Sequence, residues 1–300
     1  MDIELLKTFL EVKQTRHFSK AAENLYLTQA AVSARIKQLE SILGAPLFSR
    51  YRNNLQLTAS GERFVHHAEG ILIAWDRARQ EVSLKKDQQH VISLGATSGL
   101  WDLVLQAGLN EIHRVMANLA LRAEALNEEA LLRRLMERTL DLALIYEPAK
   151  MSELKSTPVS SAELILVTTE QHGDVQNAID GGYISVDWGT SFNLTFAQCF
   201  PDAPPPMLHT TLARIGLDFM LDHHGSAYLP LRLVTEHLDQ HRLFHLDQAP
   251  VIQRPIFACY HQANEYQHEI IQMIEIIRDI AAPSTTDLAR FSTMPDNDGH

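Results

Sequence analysis

The sequence predicts two parts of different class: an α+β winged helix-turn-helix head continued by a long linker helix, then a larger α/β body. Three observations carry this. The first 58 residues hold three short apolar stripes at helical spacing, each behind a capping residue, and then two short alternating runs. A heptad stripe follows over 64–82. From residue 91, apolar runs of strand length alternate with helical patterns. The expected boundaries are 1–58 for the head, 59–90 for the linker helix and hinge, 91–283 for the body and 284–300 for a polar, flexible tail.

Asp2 is placed to cap a helix over roughly 3–15, with Leu5, Phe9 and Val12 on one side. Ser19 is expected to cap a short second helix carrying Phe18, Ala21, Ala22 and Leu25. Thr28 caps a third over about 29–43, where Val32, Ile36, Leu39 and Leu43 repeat at four, three and four. Gly44 ends that helix and Pro46 prevents its resumption. Two capped helices joined at Tyr26-Leu27 make a helix-turn-helix, so the third is the candidate recognition helix. Opposite its buried stripe lie Ala30, Ala34, Lys37, Gln38 and Ser41, with Gln29 and Ser33 on one flank. Gln29 can pair with an adenine edge, Ser33 with several bases, and the methyls of Ala30 and Ala34 with a thymine methyl. Small surface residues also occur on any helix, so this helix alone does not decide the matter.

Leu47-Phe48-Ser49-Arg50, a break at Arg52-Asn53-Asn54, and Leu55-Gln56-Leu57-Thr58 read as a hairpin with Arg50 and Arg52 near its tip. A basic hairpin directly after a recognition helix is a wing, and its arginines suit phosphates or the minor groove. Thr58 caps a fourth helix expected to run to about Lys86, with Phe64, Ala68, Ile71, Trp75, Ala78 and Val82 at four, three, four, three, four. At 1.5 Å per residue it is about 40 Å long. The seam predicts a dimerisation helix; the alternative is packing on the chain's own body. Lys85-Lys86-Asp87-Gln88-Gln89 is the expected hinge.

Composition bounds the function. At 300 residues, 45% hydrophobic and 21% charged, the chain is of ordinary globular make-up. Its apolar runs reach five residues, as at Ile71–Trp75, against about 20 for a membrane span. The start Met1-Asp2-Ile3-Glu4 has neither a basic nor an apolar leader, so no secretory signal is expected. Cys199 and Cys259 are too few for a disulfide framework, which fits a reducing cytoplasm; Cys199 is expected to be a small buried hydrophobe. The net charge is −11, but residues 1–90 carry +3 and the rest −14, and 13–63 alone carry +5. A basic head on an acidic body suits a nucleic-acid partner for the head, although it also describes a solvated face. His237, His241 and His245, and the pairs His66-His67 and His223-His224, lack the accompanying spacing of a metal site. There is no phosphate-binding glycine loop and no nucleophile elbow, so no metal, cofactor or enzyme activity is expected.

In the body, 91–96, 119–125, 140–145, 164–167, 183–186, 207–210, 226–230 and 256–260 read as strands. Helices are expected from Trp101, from Asn127 with Leu131, Leu132, Leu135 and Met136 inward, and around Ile270, Ile271, Ile274 and Ile277. The alternation predicts a largely parallel sheet.

The head resembles the LysR-type transcriptional regulators. The match runs through Phe9-Leu10-Glu11-Val12, Phe18-Ser19-Lys20-Ala21-Ala22-Glu23, Leu27-Thr28-Gln29-Ala30-Ala31-Val32-Ser33, Ile36-Lys37-Gln38-Leu39-Glu40, Leu43-Gly44, Leu47-Phe48-Ser49-Arg50 and Leu57-Thr58-Ala59-Ser60-Gly61. Arg16-His17-Phe18 and Arg52-Asn53-Asn54 look most like the HdfR subgroup of flagellar-gene regulators within that family. The resemblance implies a cytoplasmic, sequence-specific regulator of transcription. Gln29, Ala30, Ser33 and Ala34 would read bases, and Thr28, Lys37, Arg50, Arg52 and Arg16 would hold phosphates of a dyad-symmetric double-stranded site. It implies a dimer through the linker helices, a dimer of dimers as the tetramer, and RNA polymerase as a further partner. Family members often carry Pro where Ala30 stands, Arg or Lys where Ala34 stands, and Gly-Ser where Arg16-His17 stands, which shifts base reading here toward Gln29 and Ser33.

For the body the resemblance implies a type 2 periplasmic-binding-protein-like domain of two α/β subdomains around an effector cleft. Its landmarks are Leu140-Asp141-Leu142-Ala143-Leu144 and Gly225-Ser226-Ala227-Tyr228-Leu229-Pro230. Beyond the strand ends lie Thr97, Ser98, Tyr146, Thr210, Thr211 and Tyr228 as candidate effector contacts. No Arg or Lys cluster accompanies them, which leaves a neutral effector, or none, open. Two rivals remain at this level: a small-molecule sensor or enzyme whose head only mediates assembly, and a nucleoid-like protein that coats DNA without sequence preference.

Overall fold

The protein is described here from a computed structural model, which covers residues 2–51, 54–84, 90–171 and 174–281. The chain divides at Val91/Ile92 into two compact units.

The first unit opens with α1 (Ile3–Thr15), capped by Asp2, whose carboxylate accepts the Glu4 N–H at 3.0 Å. The second helix, α2 (Phe18–Asn24), is capped by His17 rather than Ser19. His17 has the extended backbone of a cap, and its Nδ1 accepts the Ser19 N–H at 3.3 Å, so the helix starts one residue before the expected cap. Thr28 caps α3 (Gln29–Leu43), and Gly44 closes it in the left-handed region at φ 68. The hairpin is β1 (Phe48–Tyr51) against β2 (Asn54–Leu57), with Phe48 opposite Leu57 and Tyr51 opposite Asn54. Next, α4 (Ala59–Val82) is capped by Thr58, whose hydroxyl accepts the Gly61 N–H at 3.0 Å. It ends at Val82 and not near Lys86, because the Ser83 hydroxyl turns back onto the carbonyls of Arg79 and Gln80.

Leu5, Leu6, Phe9, Val12, Ala21, Ala22, Val32, Ile36 and Leu39 form one buried core with Leu47, Val65 and Ala68. Phe9 joins the wing to α4: its ring centroid lies 5.4 Å from Phe48 and 5.3 Å from Phe64.

The second unit runs β3 (His90–Ala96), α5 (Ser98–Leu100), a π-helical turn (Trp101–Leu105), α6 (Gln106–Val115), β4 (Leu119–Ala125), α7 (Glu128–Met136), β5 (Leu142–Ile145) and β6 (Leu154–Thr168). It continues α8 (Val175–Asp180), β7 (Tyr183–Val186), α9 (Thr190–Cys199), β8 (Leu208–Thr210), α10 (Ala213–His223), β9 (Ser226–Pro230), α11 (Leu231–Asp239), β10 (Phe244–His245), β11 (Ile252–His261) and α12 (Gln267–Ala281). One nine-stranded sheet has the order β4-β3-β5-β11-β6-β9-β7-β8, with β10 beside β6.

The expected largely parallel sheet is corrected to a mixed one. Pairs β3·β5, β7·β9 and β7·β8 are parallel, while β5·β11, β11·β6 and β6·β9 are antiparallel. The cause is the length of two strands: β6 spans 15 residues, not the four expected at 164–167, and β11 spans ten. They run side by side from Ile252↔Leu164 to His261↔Leu154, joining an outer group β4-β3-β5 to a second group β9-β7-β8. These are the two subdomains. All four residues of β5 are buried, as its unbroken apolar run requires. Cys199 corrects its expectation by being exposed: α9 turns Phe192 and Phe196 inward, and Phe200 rather than Cys199 continues that packing.

Among the described residues, no helix is long and apolar enough to cross a membrane. Among them also, no three His, Cys, Asp or Glu side chains are placed to hold a metal. The expected hinge at 85–89, Arg52 at the wing tip and the tail at 284–300 lie outside the described residues.

Candidate functional site

The first candidate site is built on α3. Burial of Val32, Ile36 and Leu39 turns the opposite side outward, so Gln29, Ala30, Ala34 and Lys37 are exposed and Ser33 is half-buried. The Thr28 hydroxyl accepts the Ala31 N–H at 3.2 Å, which leaves its own proton for an outside acceptor such as a phosphate oxygen. Gln29 Oε1 accepts from Ser19 Oγ at 3.0 Å, leaving the amide N–H groups of Gln29 toward solvent. Arg16 ends α1 in the left-handed region at φ 51, with an exposed side chain. Arg50 lies on β1, where its backbone pairs with Leu55.

Glu40, a positioning residue that the sequence reading did not single out, holds the wing to α3. Its Oε1 accepts the N–H groups of Leu47 at 2.7 Å and Phe48 at 3.2 Å. The signal available was a carboxylate in the last turn of α3, just before a Gly-Ala-Pro break whose next N–H groups need acceptors. Arg35 is likewise held within the head, by Thr8 Oγ1 at 3.3 Å and Glu4 Oε2 at 3.6 Å.

The expected six-residue seam on α4 is corrected in its first half. Phe64, Ala68 and Ile71 pack into the head's own core, because α4 lies along α1 and shares that core. Trp75, Ala78 and Val82 remain exposed, Trp75 at 46% and Val82 at 90%.

The second candidate site lies in the body where the two subdomains meet. Thr97 follows β3 and Tyr146 follows β5, adjacent parallel strands with Ala96 opposite Leu144. Ser98 begins α5. Both the Thr97 hydroxyl and the Tyr146 hydroxyl are buried without a hydrogen-bond partner, and burial pushes the Tyr146 hydroxyl well above the usual phenol range. Trp188, fully buried, stands edge-on to Tyr146 with centroids 6.4 Å apart.

The other expected contacts are placed elsewhere. Thr210 Oγ1 accepts the Leu212 N–H at 3.2 Å at the end of β8, and Thr211 is exposed. The Tyr228 hydroxyl donates to Pro250 O at 3.0 Å, and its ring packs among Phe192, Phe196 and Phe200. Tyr228 is thereby corrected from effector contact to core.

Arg254 is a buried charge that the sequence reading did not single out. It is 2% exposed, its Nη1 donates to Glu147 Oε1 at 3.1 Å, and its guanidinium stands 5.0 Å from the Tyr146 ring centroid. The signal was period two on β11: Ile252, Arg254 and Ile256 all face inward, and a charge in that row is out of pattern.

Comparison with known proteins covers both parts of the chain. Residues 3–62 match the model of the bacterial regulatory helix-turn-helix protein, lysR family, and residues 85–282 match the LysR substrate binding domain. The chain is 37% identical over 294 residues to the HTH-type transcriptional regulator HdfR of Yersinia enterocolitica, covering 95% of this chain and 99% of that one. HdfR of Yersinia pestis is also 37% identical, over 295 residues. Of solved structures, CbnR, a LysR family transcriptional regulator, superposes with a TM-score of 0.71 at 15% identity, covering 94% of this chain and 100% of that one. Vibrio fischeri DarR in complex with DNA superposes at 0.56 and 20% identity, covering 93% and 99%. The protein therefore belongs to the LysR family of DNA-binding transcription regulators, with a helix-turn-helix head and a substrate-binding effector domain.

Proposed function

We propose that the protein reads a dyad-symmetric promoter site through α3 and adjusts that binding to a small molecule held between the two subdomains. One observation carries the reading: α3 presents Gln29, Ala30, Ser33, Ala34 and Lys37 on a single side free of the core, next to a wing that Glu40 anchors. Gln29 and Ser33 read base edges, Ala30 and Ala34 touch thymine methyls, and Thr28, Lys37, Arg16, Arg50 and Arg52 meet phosphates.

Trp75, Ala78 and Val82 close a homodimer between two α4 helices, which spaces two heads for two half-sites. The family pattern adds a dimer of dimers and contact with RNA polymerase, acting in the cytoplasm and without enzyme activity. Thr97, Ser98 and Tyr146 face the effector. A ligand that favours one arrangement of the subdomains shifts the population of tetramer shapes, and with it the bend of the bound DNA.

The test is selection of genomic fragments by the purified full chain, beside the Gln29→Ala/Ser33→Ala double variant. Enrichment of a dyad motif by the wild type and its loss in the variant is the expected result. Uniform recovery by both proteins, with steep salt dependence, would overturn sequence-specific reading and leave electrostatic binding alone.

A further inference from the structure

A cavity of about 260 Å³ lies in the body, and neither Arg254 nor Tyr146 lines it. Its walls are apolar: Leu103 and Val104 of the π-helical turn, Pro230 and Leu231 where β9 passes into α11, Ile256 of β11, and Ala281 at the end of α12. Its rim is polar, and Ser161, Arg232 and Gln253 on that rim are exposed, so the cavity is a groove open to solvent. Gln253 is fixed there from β6. Ser161 Oγ donates to its Oε1 at 2.9 Å, and its Nε2 donates to Glu163 Oε1 at 3.0 Å. Gln253 and Arg254 are successive strand residues, so their side chains leave opposite faces of the sheet.

The last turn of α12 is fastened to the same rim. Ser160 Oγ donates to Ala281 O at 2.9 Å, Arg232 Nη1 to Ile280 O at 3.0 Å, and Arg278 Nη2 to Pro158 O at 3.1 Å. The first two satisfy carbonyls at a helix end, which have no acceptor role inside the helix. The chain therefore leaves α12 at the edge of the groove, with Ala281 itself in the wall. Pro283 comes two residues later and has no N–H to extend a helix.

Residues 282–300 start from that point. Their sequence is polar except at Leu288-Ala289-Arg290-Phe291 and at Met294. Leu288 and Phe291 match apolar walls, and Arg290, the one Lys or Arg of the segment, matches the Glu163 carboxylate on the rim. Ten residues lead from Ala281 to Phe291, a reach of up to about 33 Å at about 3.3 Å per residue, which spans the groove. A short tether also presents its end at an effective concentration of about a millimolar. A few side chains thus suffice where a free peptide of the same sequence would bind weakly.

We propose that the groove receives this chain's own segment 288–291, with Leu288 and Phe291 against Leu103, Pro230 and Leu231, and the Arg290 guanidinium on Glu163. The seated segment is a strap. It ties the π-helical turn beside the β4-β3-β5 group to the start of α11, which follows β9 in the other group. The strap is independent of what the head reads and of any ligand of the body.

The test uses the full chain and two readouts. Trypsin cuts after Arg290, and its rate there reports how often the segment leaves the groove. The free peptide of residues 284–298 gives the unprotected rate. The expected result is cleavage at least about tenfold slower in the chain than in the peptide. Leu288→Ser or Phe291→Ser then removes most of that protection, since each deletes one buried apolar side chain, and Glu163→Gln lowers it about threefold. The second readout is a photo-crosslink from Phe291→p-benzoylphenylalanine in an equal mixture of isotope-labelled and unlabelled chains. Crosslinks to the peptides that hold Leu103 or Leu231, within one chain, are expected. Three results would overturn the proposal: cleavage at the peptide's rate, protection indifferent to the Leu288, Phe291 and Glu163 variants, or crosslinks that fall outside the groove or join two copies.

Discussion

Gly61 and Leu47 stand so close that a Cβ on the glycine would lie 2.2 Å from the Leu47 carbonyl oxygen. The same oxygen accepts the Thr58 N–H at 2.9 Å, while the N–H of Leu47 donates to Glu40. One peptide segment thus ties α3, the wing and the start of α4, and its packing depends on a bare backbone at position 61. Gly61→Ala forces two backbone segments apart and is expected to destabilise the head by about 2 kcal/mol. In calorimetry the head's transition falls by about 10 °C, given about 4–8 °C per kcal/mol for a domain of this size. An unchanged melting profile would contradict the contact.

The exposed cations of the head are expected to act through counterion release. Lys37→Ala and Arg16→Ala each remove one phosphate contact, so the slope of log affinity against log salt falls by about one unit per variant. Preference among DNA sequences stays as in the wild type, since phosphates carry no sequence information. If the Arg16→Ala slope matches the wild type, Arg16 touches no phosphate and this chain's departure from the family's Gly-Ser has another reason.

The two halves of α4 are expected to respond differently to truncation. Phe64 packs on Phe9 inside the head, so Phe64→Ala costs about 3 kcal/mol of head stability through the cavity it leaves. Trp75 is half exposed and Val82 almost fully exposed, and neither belongs to the head's core among the described residues. Trp75→Ser with Val82→Ser should leave the melting temperature of the isolated fold nearly unchanged and weaken the dimer at least about thirtyfold, as loss of a central aromatic does. Sedimentation equilibrium reads the second effect. A variant that remains fully dimeric at low concentration would move the dimer interface elsewhere.

The head was nearly all legible from sequence because its signals are local: caps, a stripe at helical period and a glycine stop each act within a few residues. The cap at His17 is the exception, since a histidine ring nitrogen does there the work expected of the Ser19 hydroxyl. The seam on α4 was legible as a pattern but not as a destination. Apolar spacing does not say whether Phe64 faces its own chain or another. The body was legible element by element and less so in topology. Strand β6 begins with Leu154-Lys155-Ser156-Thr157-Pro158, polar and broken by a proline, and it is a strand because β11 lies along it. Arg254 escaped notice for a related reason. Its significance comes from Tyr146 and Glu147, more than a hundred residues earlier in the chain.

Acid is expected to weaken the body through Glu124. Arg134, on α7, is nearly buried, and its Nη2 meets Glu124 Oε1 at 3.0 Å; Arg122 Nε meets the same oxygen at 2.8 Å. Burial alone would raise the Glu124 carboxyl, but the two guanidiniums together outweigh it and hold it below the usual carboxylate range. The folded value is thus lower than the unfolded one. The contribution is complete above the unfolded pKa of about 4.3 and is lost as pH falls through the lower folded value. Glu124→Gln leaves the Arg134 guanidinium without its anion and should cost about 2 kcal/mol at neutral pH, less than a fully buried pair because Glu124 keeps some solvent contact. Calorimetry of both proteins from neutral pH to pH of about 3 checks the sign. The gap between their melting temperatures should narrow on acidification, as the wild-type carboxylate takes up its proton. A gap that stays constant to the acid end would mean that Glu124 and Arg134 do not form a charged pair in solution.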